Sequence, residues 1–414
     1  MIRVFPPAQL PESTIQLGGS KSISNRHLII SHLLNVHPVL KNLSDSEDTE
    51  LLQTALLNIK NAVPGTIDVR HAGTDMRFLT ALLSITPGEW QLTGSQRMKE
   101  RPVAELVNAL RQLGAEIVYM EKDGYPPLKI SGKNLNGGPL KINAGISSQF
   151  ISALLLIAAK LQNGLILELQ GDVVSQPYIE LTLNVLNQYG INTKINSRNI
   201  SVEEIKNVKN PAAITIESDW SSASYWFSVM ALGRSGKITL RNLSRKSEQG
   251  DSILPEIFSR LGVKCDFTDD GCILSTGQVN LSDFEYDFSN CPDIAPTVAV
   301  ACFGLGISCR LTGLQTLVIK ESNRIAALAT ELIKAGGKVT TGKTSFFLQA
   351  RNGQNSVGDL LIDTYNDHRM AMSFAPLAFL FPGIMINDHG VVRKSYPAFW
   401  EDLKSLGFSV TSQP

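Results

Sequence analysis

Residues 17–22 read Leu17-Gly18-Gly19-Ser20-Lys21-Ser22, a Gly/Ser-rich turn between a short strand and an apolar helix. Five more junctions of this kind follow along the 414-residue chain. They are His71-Ala72-Gly73-Thr74-Asp75, Asn143-Ala144-Gly145-Ile146-Ser147-Ser148, Glu217-Ser218-Asp219-Trp220-Ser221-Ser222, Ser289-Asn290-Cys291-Pro292-Asp293 and Thr364-Tyr365-Asn366-Asp367-His368. Apart from a shorter first interval they recur at roughly 70–75 residues, which predicts copies of one supersecondary unit.

Each junction is predicted to be the N-terminus of a helix. The free N–H groups and the positive dipole end at such a terminus favour anions. Several junctions also lie beside Lys or Arg. The pattern therefore predicts a protein that holds more than one anionic group.

The repeated unit extends beyond its first helix. A second strand rich in Val, Ile and Leu is predicted at Val39–Leu43, Trp90–Thr93, Leu165–Leu169, Lys237–Leu240, Ser308–Leu311 and Ile384–Asn387. A second, amphipathic helix then ends at a glycine in most units, at Gly114, Gly190, Gly262, Gly336 and Gly407. Four units add a hairpin, as at Ile117–Ile130 with a turn at Asp123-Gly124 and at Cys265–Leu274 with a turn at Asp270-Gly271.

The unit is thus β-α-β-α-β-β, and the fold class is α/β (α+β). The first and sixth units lack the hairpin, which accounts for the shorter first interval. The segment Ile2–Phe5 is predicted to complete an end unit, which would bring both termini into one domain.

Composition indicates a two-domain soluble protein. A chain of 414 residues is too long for one ordinary core, and 43% hydrophobic with 18% charged residues is typical of globular proteins. The formal net charge is zero, so no global field would attract nucleic acid or an anionic membrane. The longest apolar stretch, around Phe150–Ala159, is about half of a membrane span.

The cysteines and the start of the chain predict a cytoplasmic protein. Residues 1–7 contain neither a signal-peptide core nor an Arg/Ser-rich transit segment. The cysteines form no Cys-x-x-Cys pair and lie near no His cluster, which predicts reduced, mostly buried thiols and argues against zinc. They are Cys265, Cys272, Cys291, Cys302 and Cys309.

Basic residues collect at equivalent places of the repeat, although the chain is neutral overall. Arg offers a planar fork to carboxylate or phosphate, and Lys offers a mobile point charge. Two small anions held together in water repel by about 1 kcal/mol per unit-charge pair at contact, and a cluster of cations offsets this. The basic residues are Lys21, Arg26, Arg77, Arg97, Lys99, Arg101, Lys320, Arg324, Arg369, Arg393 and Lys394.

Several of these features also have a purely structural interpretation. A Lys-Ser or Ser-Ser pair at a helix start is most often a cap, and Asp219 fits that role as well. A Lys-Glu pair such as Lys320-Glu321 is common on helices. We expect Arg111, Lys122 and Arg351 to be solvated surface residues, and His27 and His71 to be neighbours of the site at most.

Seven motifs, in order, resemble those of the 5-enolpyruvylshikimate-3-phosphate synthase family. The resemblance runs from near residue 10 to about residue 400. The motifs are Lys21-Ser22-x-Ser24-Asn25-Arg26, Ala72-Gly73-Thr74-x-x-Arg77, Arg97-Met98-Lys99-Glu100-Arg101-Pro102, Ser147-Ser148-Gln149-Phe150, Pro292-Asp293, Lys320-Glu321-Ser322-x-Arg324 and Tyr365-Asn366-Asp367-His368-Arg369-Met370-Ala371-Met372.

This resemblance implies the enolpyruvyl transferase fold. Two domains would each wrap three of the six units as an inside-out α/β barrel, with the active site in the cleft between them. One domain would be residues 14–217, carrying most shikimate-3-phosphate contacts. The other would be residues 1–13 and 218–414, carrying the acid and base.

The resemblance also implies the reaction and its site. The enolpyruvyl group of phosphoenolpyruvate would be transferred to the 5-hydroxyl of shikimate 3-phosphate, by a monomer that uses no metal and no organic cofactor. The implied shikimate-3-phosphate contacts are Lys21, Ser22, Arg26, Ser147, Ser148, Gln149, Ser175, Tyr178, Asp293 and Lys320. The implied phosphoenolpyruvate contacts are Lys21, Gly73, Arg97, Gln149, Arg324, Arg369 and Lys394.

The chemistry requires one carboxyl group that donates a proton and one that accepts a proton. Glu321 resembles the family's proton donor to the methylene carbon of phosphoenolpyruvate, and Asp293 resembles the base for the shikimate hydroxyl. Lys21 and Lys394 would stabilise the departing phosphate.

Some positions depart from the family pattern, and alternative functions stay open. His71, Phe78 and Asn323 replace Asn, Pro and Asp, and Thr316 stands where Asn can touch the substrate, but none of these changes removes a charged catalytic group. The nearest alternative is the transferase that acts on UDP-N-acetylglucosamine, which usually carries a cysteine in its N-terminal half. A non-catalytic repeat protein that binds phospho-ligands, or an inactive paralogue, are the others.

Overall fold

The computed structural model describes residues 1–61, 65–279, 281–350 and 360–412. Arg351, for which we predicted a solvated position, lies outside them. The chain divides into two compact units, which we call the C-terminal unit (residues 1–19 and 217–414) and the N-terminal unit (residues 20–216).

The helices and strands follow the predicted order. The helices are α1 (Lys21–Leu34), α2 (Glu47–Lys60), α3 (Gly73–Ile85), α4 (Ala104–Gln112), α5 (Ser148–Ala158), α6 (Gln176–Gln188), α7 (Trp220–Gly233), α8 (Leu254–Arg260), α9 (Ala295–Leu305), α10 (Arg324–Lys334), α11 (His368–Phe374) and α12 (Phe399–Ser405). The strands are β1 (Ile2–Phe5), β2 (Glu12–Ile15), β3 (Val39–Lys41), β4 (Thr66–Asp68), β5 (Gly88–Thr93), β6 (Glu116–Tyr119), β7 (Leu128–Gly132), β8 (Asn136–Asn143), β9 (Gln162–Gln170), β10 (Thr193–Asn196), β11 (Asn199–Val202), β12 (Ala213–Thr215), β13 (Lys237–Arg241), β14 (Val263–Thr268), β15 (Gly271–Thr276), β16 (Asp283–Asp287), β17 (Ser308–Thr312), β18 (Lys338–Thr341), β19 (Phe346–Gln349), β20 (Leu361–Ile362), β21 (Ile384–Ile386) and β22 (Ser409–Ser412).

All six junctions begin helices, as predicted. Five lead directly into α1, α3, α5, α7 and α11, and the remaining one leads through a 3-10 turn, Pro292–Ile294, into α9. The predicted helix-ending glycines all have left-handed backbone angles that residues with a Cβ rarely adopt, with φ values of +96°, +84°, +83°, +91° and +85° at Gly114, Gly190, Gly262, Gly336 and Gly407.

The sheets repeat one strand order. In the second, third and fifth units the first two strands are parallel and a hairpin returns antiparallel, giving β4-β5-β7-β6, β8-β9-β11-β10 and β16-β17-β19-β18. In the sixth unit β1 takes the place of the missing strand, pairing antiparallel with β21 and β22. The prediction that Ile2–Phe5 completes an end unit is confirmed.

Two leading strands are exchanged between repeats, which the repeat pattern did not predict. β2 leads into α1 but pairs parallel with β13 of the fourth unit, with Ile15 opposite Leu240. β12 leads into α7 but pairs parallel with β3 of the first unit, with Ile214 opposite Leu40. β2 pairs with β13, and residues up to 19 belong to the C-terminal unit. The domain bounds that the family resemblance implies, with crossings at 13/14 and 217/218, stay a prediction.

The helices that follow the junctions form the core of each unit. α5 buries ten of its eleven residues and packs on α3, while the amphipathic α4 buries four of nine. In the C-terminal unit, α9 packs on both α7 and α11. Since these helices pack side by side, the polar residues at their N-termini are gathered within each unit.

Candidate active site

The C-terminal unit holds a buried cluster of three cations and three carboxylates, which we call the Arg324 cluster: Asp293, Lys320, Glu321, Arg324, Asp367 and Arg369. The Arg324 guanidinium is 1% exposed, and its Nε lies 2.8 Å from Asp367 Oδ2. Its Nη1 lies 2.8 Å from Asp293 Oδ1, and its Nη2 lies 2.6 Å from Glu321 Oε2. One side chain therefore binds both carboxyl groups that the sequence predicted as acid and base.

Two more cations approach Asp293. Lys320 Nζ lies 3.3 Å from Asp293 Oδ1, and Arg369 Nη2 lies 3.2 Å from Asp293 Oδ2. Burial opposes ionisation of Asp293, but the attraction of Arg369, Lys320 and Arg324 outweighs burial and lowers its pKa. Asp293 is thus ionised at neutral pH.

Asp367 fixes the start of α11. Its Oδ1 accepts from the Arg369 N–H at 3.0 Å, which caps the helix, and its Oδ2 accepts from Ser322 Oγ at 3.0 Å. Burial opposes its ionisation, yet Arg324 prevails and the pKa of Asp367 is lowered. The carboxylate therefore connects the helix that carries Arg369 to the buried Arg324.

Lys394 is held beside this junction. Its Nζ donates to the Asn366 carbonyl oxygen at 2.5 Å and to Asn366 Oδ1 at 2.8 Å. The Tyr365 hydroxyl donates to the fully buried Glu331 of α10 at 2.6 Å, and both Tyr365 and Asn366 have positive φ. The turn before α11 is thus anchored to α10, and Asn366 in this turn holds Lys394 Nζ through its carbonyl and side-chain oxygens.

In the N-terminal unit, the first junction carries Lys21 and Arg26. Lys21 Nζ lies 2.9 Å from Asp48 Oδ2 of α2. Arg26 is 3% exposed and donates to Thr182 Oγ1 at 2.8 Å and to the Ser22 carbonyl at 2.8 Å. Burial lowers the pKa of Arg26 to about 10, still far above neutrality. Arg26 is therefore a buried cation that joins α1 to α6 through its hydrogen bond to Thr182.

The third junction joins the second one. Ser147 caps α5 by accepting from the Gln149 N–H at 3.2 Å, and Ser148 is buried. Gln149 Nε2 donates to Thr74 Oγ1 at 3.3 Å, which links the first turns of α5 and α3. Ser175 adopts a left-handed backbone (φ 54°) at the start of α6. Its carbonyl accepts from the half-buried Tyr178 N–H at 3.1 Å.

The two arginines of the second unit's loop differ in their surroundings. Arg97 is 34% exposed in its side chain and lies 3.3 Å from Glu100. Arg101 is 4% exposed, and a Cβ added to Gly73 would lie 2.5 Å from both of its terminal nitrogens. The guanidinium of Arg101 thus lies against the Gly73 turn.

Sequence reasoning left several participants out of the site. Each was visible as a charged residue in the sequence: Asp48 at the start of α2, Arg101 in the loop before α4 and Asp367 in the sixth junction. What singles them out is the partner each one finds, which is set by packing between distant segments. Neighbouring sequence gave no sign of those partners.

The second junction ends in a buried carboxyl group, Asp75, which contacts Asn25 of α1. Asp75 is 0% exposed; its Oδ1 accepts from Asn25 Nδ2 at 2.8 Å, and no donor of the described residues reaches its Oδ2. Burial and the nearby Asp48 carboxylate raise the pKa of Asp75 well above its usual value, against the opposing effect of Lys21.

Asp75→Asn is therefore expected to stabilise the protein increasingly as pH rises. A carboxyl group whose pKa is higher in the folded than in the unfolded state contributes its full stability below the unfolded-state pKa of about 3.9. This contribution is lost as pH rises toward the folded-state pKa. The substituted amide would keep the acceptor for Asn25 without that loss, so the variant should gain at least about 1 kcal/mol at pH 8.

Melting temperatures between pH 5 and pH 8 would test this. Asp123→Asn, at an exposed position between β6 and β7, is the matched control. A difference between Asp75→Asn and wild type that is flat or shrinks with rising pH would contradict the expectation.

No group of three or more His, Cys, Asp or Glu side chains among the described residues is arranged to hold a metal ion. None of the helices that these residues form is both long and apolar enough to cross a membrane.

Comparison with known proteins identifies the family. The protein-family model for EPSP synthase (3-phosphoshikimate 1-carboxyvinyltransferase) matches residues 58–403 of this chain. The chain belongs to the EPSP synthase family. A 3-phosphoshikimate 1-carboxyvinyltransferase of Bacteroides fragilis (strain YCH46) is 45% identical over 405 residues, covering 98% of this chain and 97% of its own length. The protein of the same name from Shewanella woodyi is 35% identical over 420 residues, covering 95% and 97%.

Solved EPSP synthases share the fold. An EPSP synthase from Acinetobacter baumannii superposes with a TM-score of 0.77 over 99% of both chains, at 21% identity. A second structure of an EPSP synthase from that organism gives a TM-score of 0.78 over the whole of both chains, at 20% identity. The predicted α/β fold of the enolpyruvyl transferases is confirmed.

Membership of the EPSP synthase family also confirms the predicted class of function. The chain is an enzyme whose activity is 3-phosphoshikimate 1-carboxyvinyl transfer, in aromatic amino-acid biosynthesis. The interpretation as a non-catalytic phospho-ligand-binding repeat protein is thereby set aside. The roles of individual residues stay predictions.

Proposed function

We propose that the chain joins the enolpyruvyl group of phosphoenolpyruvate to the 5-hydroxyl of shikimate 3-phosphate with Asp293 and Glu321 as its proton-transfer groups. The observation that carries this assignment is Arg324, which holds both carboxyl groups at 2.8 Å and 2.6 Å in a buried cluster. An acid and a base at one site require two carboxyl groups, and Arg324 brings these two together. We further propose that the enzyme acts as a cytoplasmic monomer without metal or organic cofactor.

The reaction balances with these two groups. Asp293 accepts the 5-hydroxyl proton while the hydroxyl oxygen attacks C2 of phosphoenolpyruvate, and Glu321 protonates the methylene carbon. A tetrahedral ketal phosphate results. Glu321, ionised by the first step, takes a proton back from the new methyl group as the C–O bond to phosphate breaks. Inorganic phosphate departs, stabilised by Lys21 and Lys394, and carries away the proton that Asp293 had accepted.

Substrate charge would set the proton affinity of the two groups. Asp293 is ionised in the free enzyme because three cations surround it. Anionic substrate atoms that share Lys320 and Arg369 with Asp293 would offset their charge and make proton transfer easier. We infer that both substrates must bind before Glu321 can donate its proton.

The binding contacts are proposed from both units. Those to shikimate 3-phosphate are Lys21, Ser22, Arg26, Ser147, Ser148, Gln149, Ser175, Tyr178, Asp293 and Lys320. Those to phosphoenolpyruvate are Lys21, Gly73, Arg97, Gln149, Arg324, Arg369 and Lys394. We add Arg101 to the second set and rank it above Arg97, because its guanidinium is buried against Gly73 while Arg97 is half-buried and paired with Glu100.

Phosphate release in the presence of phosphoenolpyruvate tests the acceptor. We expect rapid release with shikimate 3-phosphate and none above background with UDP-N-acetylglucosamine. Release with the sugar nucleotide alone would overturn the proposed acceptor, and release with neither would overturn the proposed function.

Gly73→Ala is expected to raise KM for phosphoenolpyruvate by about 10–100-fold, with a smaller effect on shikimate 3-phosphate. The added methyl group would meet the Arg101 terminal nitrogens at 2.5 Å and push the guanidinium aside. A displacement of about 1 Å in a positioned group can lower the rate about 10²-fold.

Steady-state kinetics with each substrate varied in turn provide the measurement. Gly277→Ala is the control, since its added methyl finds its nearest neighbour at 3.4 Å, an ordinary contact. Equal increases in both KM values would contradict the assignment of the Gly73 turn to phosphoenolpyruvate.

A further inference from the structure

One buried carboxyl group of the C-terminal unit has no part in the mechanism above. Asp251 lies in the 3-10 turn Gly250–Ile253 and is 2% exposed. Its Oδ2 accepts a short hydrogen bond from the Ser221 hydroxyl. No donor of the described residues reaches its Oδ1, and its side chain caps no helix. A buried, half-satisfied carboxyl group is costly, so its retention calls for a reason.

Ser221 connects Asp251 to the Arg324 cluster. Ser221 lies in the first turn of α7, and its hydroxyl oxygen accepts from Arg369 Nη2 at 3.3 Å. The same Nη2 lies 3.2 Å from Asp293 Oδ2. The hydrogen bonds therefore run in one direction, from Arg369 to Ser221 and from Ser221 to Asp251.

The charges around Asp251 allow it to titrate near neutrality. Burial raises its pKa to about 6; Asp293 and Asp219 add to this rise, while Arg369 and the Ser221 hydroxyl oppose it. The Cys291 thiol also faces it, and burial, with Asp251 among the nearby carboxylates, raises the pKa of that thiol, so Cys291 stays neutral. Asp251 thus changes charge between pH 5 and pH 7, while the neighbouring Cys291 thiol does not.

We propose that Asp251 is a positioning residue for Arg369: through the Ser221 hydroxyl it orients one guanidinium nitrogen, and it takes up a proton when an anion binds there. The inference rests on the proposed role of Arg369 as a phosphoenolpyruvate contact. An ionised Asp251 partly offsets the charge of Arg369 in the free enzyme. A bound anion replaces that negative charge, and Asp251 becomes neutral.

Substitutions at two positions separate the effect of charge from that of orientation. Asp251→Asn keeps an acceptor for Ser221 but cannot ionise. Ser221→Ala removes the connection, whereas Ser221→Thr keeps a hydroxyl. Wild-type phosphate release from shikimate 3-phosphate and phosphoenolpyruvate is measured first, because its absence would count against the proposed function and not against this inference.

The decisive measurement is kcat/KM for phosphoenolpyruvate at saturating shikimate 3-phosphate, from pH 5 to pH 8. The ratio of Asp251→Asn to wild type is expected to rise about three- to tenfold with a midpoint near pH 6, because only the wild type gains a negative charge. Ser221→Ala is expected to raise KM for phosphoenolpyruvate at least about fivefold more than KM for shikimate 3-phosphate, and Ser221→Thr should restore most of that loss.

The controls exclude a merely structural role. Asp266→Asn, at an exposed position on β14 of the same unit, should give a ratio that is independent of pH. Melting temperatures at each pH show whether a variant is folded. A flat ratio for Asp251→Asn would overturn the proton uptake, and a Ser221→Ala variant with unchanged KM for phosphoenolpyruvate would overturn the positioning role.

Discussion

Asp293→Asn and Glu321→Gln are each expected to lower kcat by about 10²–10⁴-fold, because each removes a group that exchanges a proton with the substrates. Both changes preserve side-chain shape and an acceptor oxygen. The contacts to Arg324, at 2.8 Å from Asp293 Oδ1 and 2.6 Å from Glu321 Oε2, can therefore persist. Shikimate 3-phosphate should still bind within about tenfold of the wild-type Kd, since only one of its many polar contacts is altered.

Phosphate release gives kcat, and calorimetric titration gives the Kd for shikimate 3-phosphate. Glu285→Gln is the matched control, because Glu285 is exposed on β16 in the same unit. The double variant should lose little more than the weaker single variant, since residues that act in one step are strongly non-additive. A kcat within tenfold of wild type for either single variant would remove that residue from the mechanism.

Much of the fold could be predicted from the sequence because the same strand–turn–helix pattern occurs in it six times. Each junction combines a strand, a polar turn and an apolar run, so local preferences alone place the starts of the leading helices. The glycines after the second helices were equally informative, because the left-handed angle at Gly262, for example, suits few other residues. Ile2–Phe5 could be assigned to an end unit, because the sixth unit lacks its hairpin.

What the sequence could not predict are choices between equivalent partners. β2 and β12 precede similar junctions and have similar strand patterns, yet each pairs in the other's repeat. Nothing local distinguishes the two pairings, because both satisfy the same backbone hydrogen bonds. The exchange is decided by where the chain crosses between units, which is a property of the whole fold.

The same limit applies to the candidate site. The motif that contains Arg97 and Arg101 offers two arginines four residues apart, and only burial against Gly73 separates them. Asp251 lies about thirty residues from Ser221 and more than a hundred from Arg369, so no spacing rule could join them. Charged residues at junctions were predictable as a class, whereas their hydrogen-bond partners depend on packing.

Arg324→Met is expected to lower the free energy of unfolding of the C-terminal unit by about 3–5 kcal/mol at pH 8, besides abolishing turnover. Methionine roughly fills the volume but leaves three carboxylates without their shared cation. Asp367 is the most affected, because it is 0% exposed and lies 2.8 Å from Arg324 Nε. Arg324→Lys keeps one positive charge but not the planar guanidinium, so its free energy of unfolding should lie between those of the wild type and Arg324→Met.

The free energy of unfolding of Arg324→Met should also depend on pH differently from that of the wild type. In the wild type, Asp293 and Asp367 have lowered pKa values in the folded state, so they contribute stability above the unfolded value of about 3.9 and lose it as pH falls. Without Arg324, burial dominates at Asp367 and its pKa rises, which reverses the sign. The variant should therefore regain more stability than the wild type does from pH 8 to pH 5.

Urea unfolding followed by tryptophan fluorescence reports mainly on this unit, since Trp220, Trp226 and Trp400 lie in it and only Trp90 lies in the other. Arg241→Met is the control, because its ion pair with Asp270 is exposed and such pairs contribute about 0–1 kcal/mol. If Arg324→Met lost no more than Arg241→Met, or lost the same amount at pH 5 and pH 8, the three carboxylates would not depend on Arg324. The cluster would then be a surface-like arrangement of charges, and the assignment of Asp293 and Glu321 to a shared buried cation would fail with it.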